Sequence, residues 1–115
     1  MFHQFFSIFM AIVIKCLLTV FVDSLGLLER MSRLRTLDVH SGCINTLQWS
    51  STGTHILSGS DDHRLIVTEP YTGQVKIDFM TAHKSNIFSA KFLPGSGDAK
   101  IVSCSGDGSI LYTGM

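Results

Sequence analysis

The sequence of 115 residues predicts an all-β protein built from two copies of one repeat unit. Short runs of β-branched and aromatic residues alternate with turns rich in glycine, serine and aspartate, which is the pattern of successive strands. No periodicity near 3.6 residues is present after residue 36, so the pattern does not favour helices there. Stretches that begin at His40 and His83 match each other at an offset of 43 residues, which becomes 45 after a longer loop in the second copy.

Each copy is predicted to form an inner, a second and a third strand, and the first copy adds an outer strand. The tight turns at 61–63 and 106–108 support this division, because aspartate hydrogen-bonds its own backbone and glycine adopts positive φ. Residues 34–37 are predicted to be the outer strand of a preceding unit. The other predicted strands are residues 44–49, 55–60, 64–68, 75–80, 87–92, 100–104 and 109–113.

The composition argues against several classes of function. Lysine and arginine together number 9, as do aspartate and glutamate, so no basic surface for nucleic acid is expected. The three cysteines, Cys16, Cys43 and Cys104, include no C-x-x-C pair, which argues against a zinc site and a disulfide framework. The run at 95–98 lacks the lysine and the serine or threonine of a phosphate loop. We therefore expect neither a metal nor a cofactor.

A histidine, a serine and an aspartate recur at equivalent places: His40, Ser58 and Asp62 in the first copy, and His83, Ser103 and Asp107 in the second. The same residue types form the triad of serine hydrolases. An active site needs one such set, however, whereas a structural repeat needs the set in every copy. The G-x-S-x-G turn that exposes a nucleophilic serine is also missing from the sequence. The pattern therefore predicts a structural hydrogen-bond network in a protein that is not an enzyme.

Four segments carry a resemblance to a known family: VHSGCINTLQW, ILSGSDDHRLIV, HKSNIFSAKFLP and IVSCSGDGSILY. From about residue 27 to the end, the chain resembles WD-repeat β-propeller proteins, whose repeats have about 40–45 residues and four strands each. Within this family it resembles the cullin-4-associated substrate receptors, one of which is described as interacting with nuclear receptors. Because a propeller needs roughly 4–8 blades to close, we expect a partial propeller of about two blades.

The resemblance implies a role for the doubled residues. In WD repeats a network of His, Ser or Thr, Asp and Trp side chains holds each unit together, and the six residues named above fill three of its four positions in each copy. The fourth position, a tryptophan in the family, is Thr68 in the first copy and Thr113 in the second. Asp61, which precedes Asp62, is expected to point into solvent.

By resemblance, the complete protein would be a protein–protein interaction scaffold, a substrate receptor of a cullin-4 RING ubiquitin ligase with a further role in nuclear-receptor coactivation. Its partners would be the propeller adaptor of the ligase and substrate proteins, and its location the nucleus and cytoplasm. Two features depart from those receptors. Their Trp-Asp-x-Arg run for adaptor contact reads Thr68, Glu69, Pro70 and Tyr71 here. An apolar segment also replaces the adaptor-binding helix expected before the first blade.

Residues 1–26 differ in composition from the two repeats at 27–115, so we predict a boundary between these parts. Residues 5–22 form an apolar, helix-like run with the minimum length of a membrane span, although Lys15 lies near its middle. Three interpretations are open: a membrane anchor, an apolar helix docked on the protein, or a start that is not native, since Met31 follows closely. If the anchor is real, the arginines that follow it keep the repeats in the cytosol.

Overall fold

A computed structural model describes residues 32–115 of the chain. The strands form a four-stranded sheet in the order β1-β2-β3-β4, called blade 1 below, and a three-stranded sheet in the order β5-β6-β7, called blade 2. Every neighbouring pair is antiparallel, so each sheet is a meander. The seven strands are β1 (Ile44–Trp49), β2 (Ile56–Ser60), β3 (Arg64–Glu69), β4 (Gln74–Met80), β5 (Ile87–Phe92), β6 (Lys100–Ser105) and β7 (Ile110–Gly114).

The prediction of an all-β, partial propeller is confirmed for the described residues. Each of these seven strands begins and ends within one residue of its predicted bounds. The inner strands, β1 and β5, have the predicted bounds at both ends. The apolar, helix-like segment at 1–26 and its boundary with the repeats lie outside the described residues. Within residues 32–115 there is no helix of the length and apolarity needed to cross a bilayer.

The outer strand predicted at residues 34–37 is wrong, because the first strand of the structure is Ile44–Trp49. A β-strand is held by hydrogen bonds to a neighbouring strand. In the described part of the chain, no strand pairs with residues 34–37. The segment still contributes to packing, since Leu37 has only 6% of its surface exposed.

The two blades repeat each other down to one irregularity in their inner strands. The pairing of β1 with β2 shifts register between Ile44 and Thr46, and the pairing of β5 with β6 shifts between Ile87 and Ser89. A bulge of this kind inserts one extra residue and re-aims its side chain. Asn45 in blade 1 and Phe88 in blade 2 therefore occupy equivalent special positions.

The core lies between the two blades, where Leu57 and Leu65 of blade 1 meet Ile87 of blade 2, all three with no exposed surface. Burying one such side chain stabilises the fold by roughly 1.5–3 kcal/mol. The shared core therefore fixes blade 2 on blade 1. Its buried members are Leu57, Leu65, Val67, Ile87, Ala90, Phe92 and Ile101, with Ile77 and Phe79 of β4 packed against them.

The opposite face of blade 2 is uncovered. Leu65 and Val67 of β3 are 0% and 4% exposed, whereas Ile110 and Tyr112, at the equivalent places in β7, are 72% and 59% exposed. The difference follows from the order of the blades. Blade 2 packs on the face of blade 1 that carries Leu65 and Val67, whereas no described residue packs on the face of blade 2 that carries Ile110 and Tyr112.

One turn residue of blade 1 adopts a conformation that favours glycine. His63 has φ 65°, and its counterpart in blade 2 is Gly108 with φ 79°. A side chain in this left-handed region costs about 1–2 kcal/mol, whereas glycine costs roughly 0.5–1 kcal/mol of chain entropy. We expect His63→Gly to raise the free energy of unfolding by about 0.5 kcal/mol, measured by urea denaturation. The control His63→Ala retains the Cβ atom, so its free energy of unfolding should not rise. A lower free energy of unfolding for His63→Gly would show that His63 is not strained.

Candidate functional site

The repeated histidine, serine and aspartate of blade 1 lie in one hydrogen-bonded row. His40 precedes β1, Ser58 lies in the middle of β2, and Asp62 lies in the turn that follows. Nδ1 of His40 is 2.9 Å from Oδ2 of Asp62, and its Nε2 is 2.7 Å from Oγ of Ser58. The backbone N–H groups of Ser41 and Arg64 also donate to the Asp62 carboxylate, at 3.1 and 2.9 Å. The row ties the segment before β1 to β2 and to the β2–β3 turn.

This geometry assigns the protons of the row. The Asp62 carboxylate only accepts hydrogen bonds, so Nδ1 of His40 carries the proton that it donates. When the ring is neutral, Nε2 accepts the hydroxyl proton of Ser58. The side chains of His40 and Asp62 are 0% and 7% exposed, so water has little access to replace either partner. Across residues 32–115, every buried side-chain nitrogen or oxygen has a hydrogen-bond partner.

Two opposing effects set the pKa of Asp62. Burial raises the pKa of its carboxyl, because removal from water penalises the charged form. Hydrogen bonds from the backbone N–H of Arg64, from the ring of His40 and from the backbone N–H of Ser41 lower the pKa, and their sum outweighs burial. The pKa of Asp62 therefore lies below its usual value, and the charged carboxylate belongs to the folded state.

Blade 2 builds the same row with one more member. Nε2 of His83 is 2.9 Å from Oγ of Ser103, as in blade 1. Its Nδ1 is 2.8 Å from Oγ of Ser109 but 3.8 Å from the Asp107 carboxylate, which is beyond hydrogen-bond distance. The Ser109 hydroxyl donates to Asp107 at 2.6 Å. Ser109 therefore relays the contact between histidine and aspartate, at the place that Arg64 occupies in blade 1.

The relay residue Ser109 was not among the predicted network residues. The signal that could have found it is the difference between the copies, where a hydroxyl in the second replaces a long cationic side chain in the first. The Ser109 hydroxyl, the backbone N–H of Lys84 and the backbone N–H of Ser109 hold the pKa of Asp107 well below its usual range. Asp107 thus remains an acceptor although its distance from His83 excludes a direct hydrogen bond.

The hydrogen bonds in blade 1 join aspartate, histidine and serine in the same order as in a serine hydrolase triad, but a substrate could not reach the serine. Ser58 is 4% exposed, and its hydroxyl also lies 3.3 Å from the carbonyl oxygen of Ile66 on the paired strand. A nucleophilic serine must be reached by substrate and must face an oxyanion hole. Ser58 lies inside the sheet, so the arrangement is suited to holding turns together. Within the described range, no group of three or more His, Cys, Asp or Glu residues is placed to hold a metal ion.

Asp61, which was expected to be fully solvated, is partly exposed and makes a side-chain hydrogen bond. Its Oδ1 accepts a hydrogen bond from Nδ2 of Asn45, which also donates to the carbonyl oxygen of Ile87 at 3.0 Å. Asn45 is the bulge residue of β1, and Ile87 begins β5 of the other blade. Asp61 is therefore half-buried and supports a contact between the blades.

Two further side chains of β1 connect the blades. The backbone N–H of Ala90 donates to Oγ1 of Thr46 at 3.2 Å, and that of Phe92 donates to Oε1 of Gln48 at 2.5 Å. β5 is an edge strand of its sheet, so these N–H groups have no neighbouring strand to bond. The polar side chains of β1 take the place of that strand.

A fourth connection joins two loops at the end of the blades where β1 and β5 finish. Oδ2 of Asp98 accepts hydrogen bonds from the backbone N–H and the hydroxyl of Ser51, at 2.9 and 2.6 Å. Beside this contact lies an open groove with a volume of about 240 Å³. Residues of both blades line it: Gln48, Trp49, Ser51, Phe92, Leu93, Pro94, Gly95, Gly97 and Asp98.

Trp49, which lines this groove, lies beside a second aromatic side chain. The rings of Trp49 and Tyr71 are 6.3 Å apart between centroids and tilted by 42°. Tyr71 is 57% exposed, and its carbonyl oxygen accepts a hydrogen bond from the guanidinium of Arg35 at 3.4 Å. Trp, Tyr and Arg are the residue types enriched at protein interfaces. This end of the two blades is therefore a candidate surface for protein binding.

Comparison with known proteins places this geometry in a family. The family model "WD domain, G-beta repeat" matches residues 31–68. The chain is 52% identical over 94 residues to DDB1- and CUL4-associated factor 6 from Homo sapiens, covering 79% of this chain and 11% of that protein. It is 51% identical over 69 residues to WD repeat protein iqw1 from Schizosaccharomyces pombe, covering 59% of this chain and 8% of that protein. The chain thus spans a small part of the length of these relatives.

A solved structure supports the same assignment at the level of the fold. The β-propeller domain of Cps50 (Swd1) from Myceliophteria thermophila is 20% identical and superposes with a TM-score of 0.67, covering 76% of this chain and 27% of that one. The meanders, their repeated hydrogen-bond rows and the matched repeat model agree with one another. The chain belongs to the WD-repeat family of β-propeller proteins.

Proposed function

We propose that this chain contributes two blades to a protein-binding scaffold that acts as a substrate receptor of a cullin-4 RING ubiquitin ligase. The observation that carries the proposal is the 52% identity over 94 residues to a protein named for its association with DDB1 and CUL4. Its partners would be the DDB1 adaptor and substrate proteins. A contribution to nuclear-receptor coactivation is a finer part of the same proposal.

The geometry of the blades fits a scaffold that acts by holding surfaces in place. The buried row of His40, Ser58 and Asp62 fixes turns, and the polar contacts of β1 fix one blade on the next. Exposed aromatic side chains such as Tyr71 remain available for a partner. None of these features requires a catalytic group, so the proposed function is binding and not catalysis.

A segment exchange tests the proposed function. We expect human DDB1- and CUL4-associated factor 6 to retain DDB1 and CUL4 in co-purification when its matching 94 residues are replaced by those of this chain. The reason is that the core and the inter-blade contacts of this chain should complete the propeller of the recipient. The matched control carries Leu65→Asp, which places a charge in the core and should abolish retention. A folded exchange variant that fails to bind DDB1 would refute the proposal.

The isolated chain is expected to behave differently in the same assay. Its Thr68, Glu69, Pro70 and Tyr71 offer no arginine to the adaptor, and residues 32–115 form two blades where a closed propeller needs roughly four or more. We therefore expect little DDB1 on beads that carry the chain of 115 residues. Strong retention by purified components would place the adaptor contact within these two blades.

The proposed location is the nucleus and cytoplasm. The alternative proposal, a membrane-anchored WD scaffold with its blades in the cytosol, rests on the apolar run at residues 5–22. Alkaline carbonate extraction of cell membranes distinguishes the two, because an anchored chain stays in the pellet and an unanchored chain is released.

A further inference from the structure

The groove at the junction of the blades has the size of a site for one side chain. Its volume of about 240 Å³ lies below the range of about 300–1,000 Å³ that is typical of small-molecule sites. Its apolar lining comes from Trp49 of blade 1 and from Phe92, Leu93 and Pro94 of blade 2. This combination suits a single large apolar side chain better than a whole metabolite.

A carboxylate at the rim of the groove has one oxygen available. Oδ2 of Asp98 is held by the N–H and the hydroxyl of Ser51, and no residue between 32 and 115 donates a hydrogen bond to Oδ1. The next cation along the chain, Lys100, is directed elsewhere, since its Nζ lies 5.6 Å from the centre of the Tyr112 ring. The rim therefore presents a negative charge that an external cation would complement.

The position of this carboxylate is fixed relative to the groove. Asp98 has φ 63°, a left-handed conformation that is uncommon for a residue with a side chain. The two hydrogen bonds from Ser51 offset the steric cost. Because Ser51 belongs to blade 1 and Asp98 to blade 2, the contact holds the carboxylate over the junction of the blades. Strained residues held in this way are often found at ligand clamps.

We propose that this groove binds an extended segment of a partner protein, with one large apolar side chain in the groove and an adjacent lysine or arginine paired with Asp98. Leu93, which lines the groove and is 37% exposed, would be covered by the bound segment. Buried aromatic anchors beside a charged contact are the usual basis of such recognition. The inference does not depend on the proposed ligase role, because it concerns the groove alone.

The chain contains its own reporter for the test. Trp49 is its single tryptophan and lines the groove, so tryptophan fluorescence reports on this site. The probe is the peptide acetyl-Gly-Leu-Arg-Gly-amide, titrated into the chain of 115 residues. We expect a saturable change in emission with a dissociation constant on the order of 1 mM. The matched peptides acetyl-Gly-Leu-Glu-Gly-amide and acetyl-Gly-Ala-Arg-Gly-amide should each bind more weakly.

Two variants distinguish the effect of the Asp98 charge on binding from an effect of the substitution on folding. Asp98→Asn keeps an oxygen for Ser51 and tolerates positive φ, but removes the charge. It should weaken the arginine peptide roughly two- to fivefold, as expected for loss of an exposed ion pair, and should abolish the salt dependence of binding. The control Asp38→Asn removes an exposed carboxylate outside the groove lining and should leave binding unchanged. Circular dichroism establishes that each variant is folded.

Three results would overturn the proposal. The first is no saturable change in Trp49 emission at peptide concentrations well above the expected constant. The second is equal affinity for the arginine and glutamate peptides, and the third is equal affinity of folded Asp98→Asn and wild-type chains. None of these results bears on the segment exchange with DDB1, so the two proposals stand or fall separately.

Discussion

Replacing Leu65 with alanine is expected to lower the free energy of unfolding by about 2–5 kcal/mol, a larger effect than that of any other truncation proposed for this chain. Leu65 has no exposed surface and lies in the core that blade 1 shares with blade 2. Truncation removes the transfer free energy of the side chain and leaves a cavity between two sheets that are already joined by hydrogen bonds. The measurement is the urea midpoint and slope of the chain, followed by circular dichroism.

The repeat supplies a control of the same chemistry. Ile110 occupies the equivalent place in β7 and is 72% exposed, so Ile110→Ala should change stability by no more than about 0.5 kcal/mol. The comparison separates burial from repeat position, since both residues follow the same turn in their blades. Equal losses for the two variants would mean that another part of the protein covers Ile110 in solution, or that the core between the blades is not formed.

The repeat explains why the strands could be predicted from the sequence. The two copies provide independent views of the same strand order, and the turns between strands carry aspartate and glycine at matching places. Each described strand also pairs with its neighbour in the sequence, so the order of strands in each sheet is the order along the chain. Local chemistry and global topology therefore agree in this fold.

The strand predicted at residues 34–37 is absent because this segment has no neighbouring strand to pair with among residues 32–115. Their side chains suit a strand, but a strand exists only beside a pairing partner, and sequence propensity does not supply one. Leu37 is buried as a strand residue would be, although its backbone pairs with no strand of the described range. The hydrophobic pattern of residues 34–37 therefore indicates a buried side chain, but it does not establish that the backbone forms a strand.

The polar contacts also divide into those that the sequence predicts and those that it does not. The row of His40, Ser58 and Asp62 joins parts of one copy, and its residues recur in the second copy. The bond between Asn45 and Asp61 supports a contact between copies, and its residues are replaced by Phe88 and Gly106 in blade 2. A Cβ atom on Gly106 would lie 2.9 Å from the Phe88 ring, so a larger residue there would require that ring to move. Contacts that do not recur leave no signal in a comparison of repeats.

Replacing Asp62 with alanine is expected to be the second large effect. It leaves the ring N–H of His40 and the backbone N–H groups of Ser41 and Arg64 without their acceptor. Leaving such buried or partly buried donors unpaired costs about 1–3 kcal/mol. Asp61→Ala removes one exposed hydrogen bond to Asn45 and should cost less, about 0.5–1 kcal/mol. Asp38→Ala, at an exposed position, should cost no more than about 0.5 kcal/mol.

The dependence of this loss on pH identifies its origin. The pKa of Asp62 is lower in the folded chain than its ordinary value, so its ionised carboxylate stabilises the fold at every pH above the unfolded pKa of about 3.9. That contribution is lost as the pH falls from about 4 through the lower pKa of the folded state. The difference between the urea-derived stabilities of wild type and Asp62→Ala should therefore be constant near neutral pH and shrink below about pH 4. A difference that grows in acid would mean that burial, which raises the pKa of Asp62, outweighs the hydrogen bonds from Arg64, His40 and Ser41.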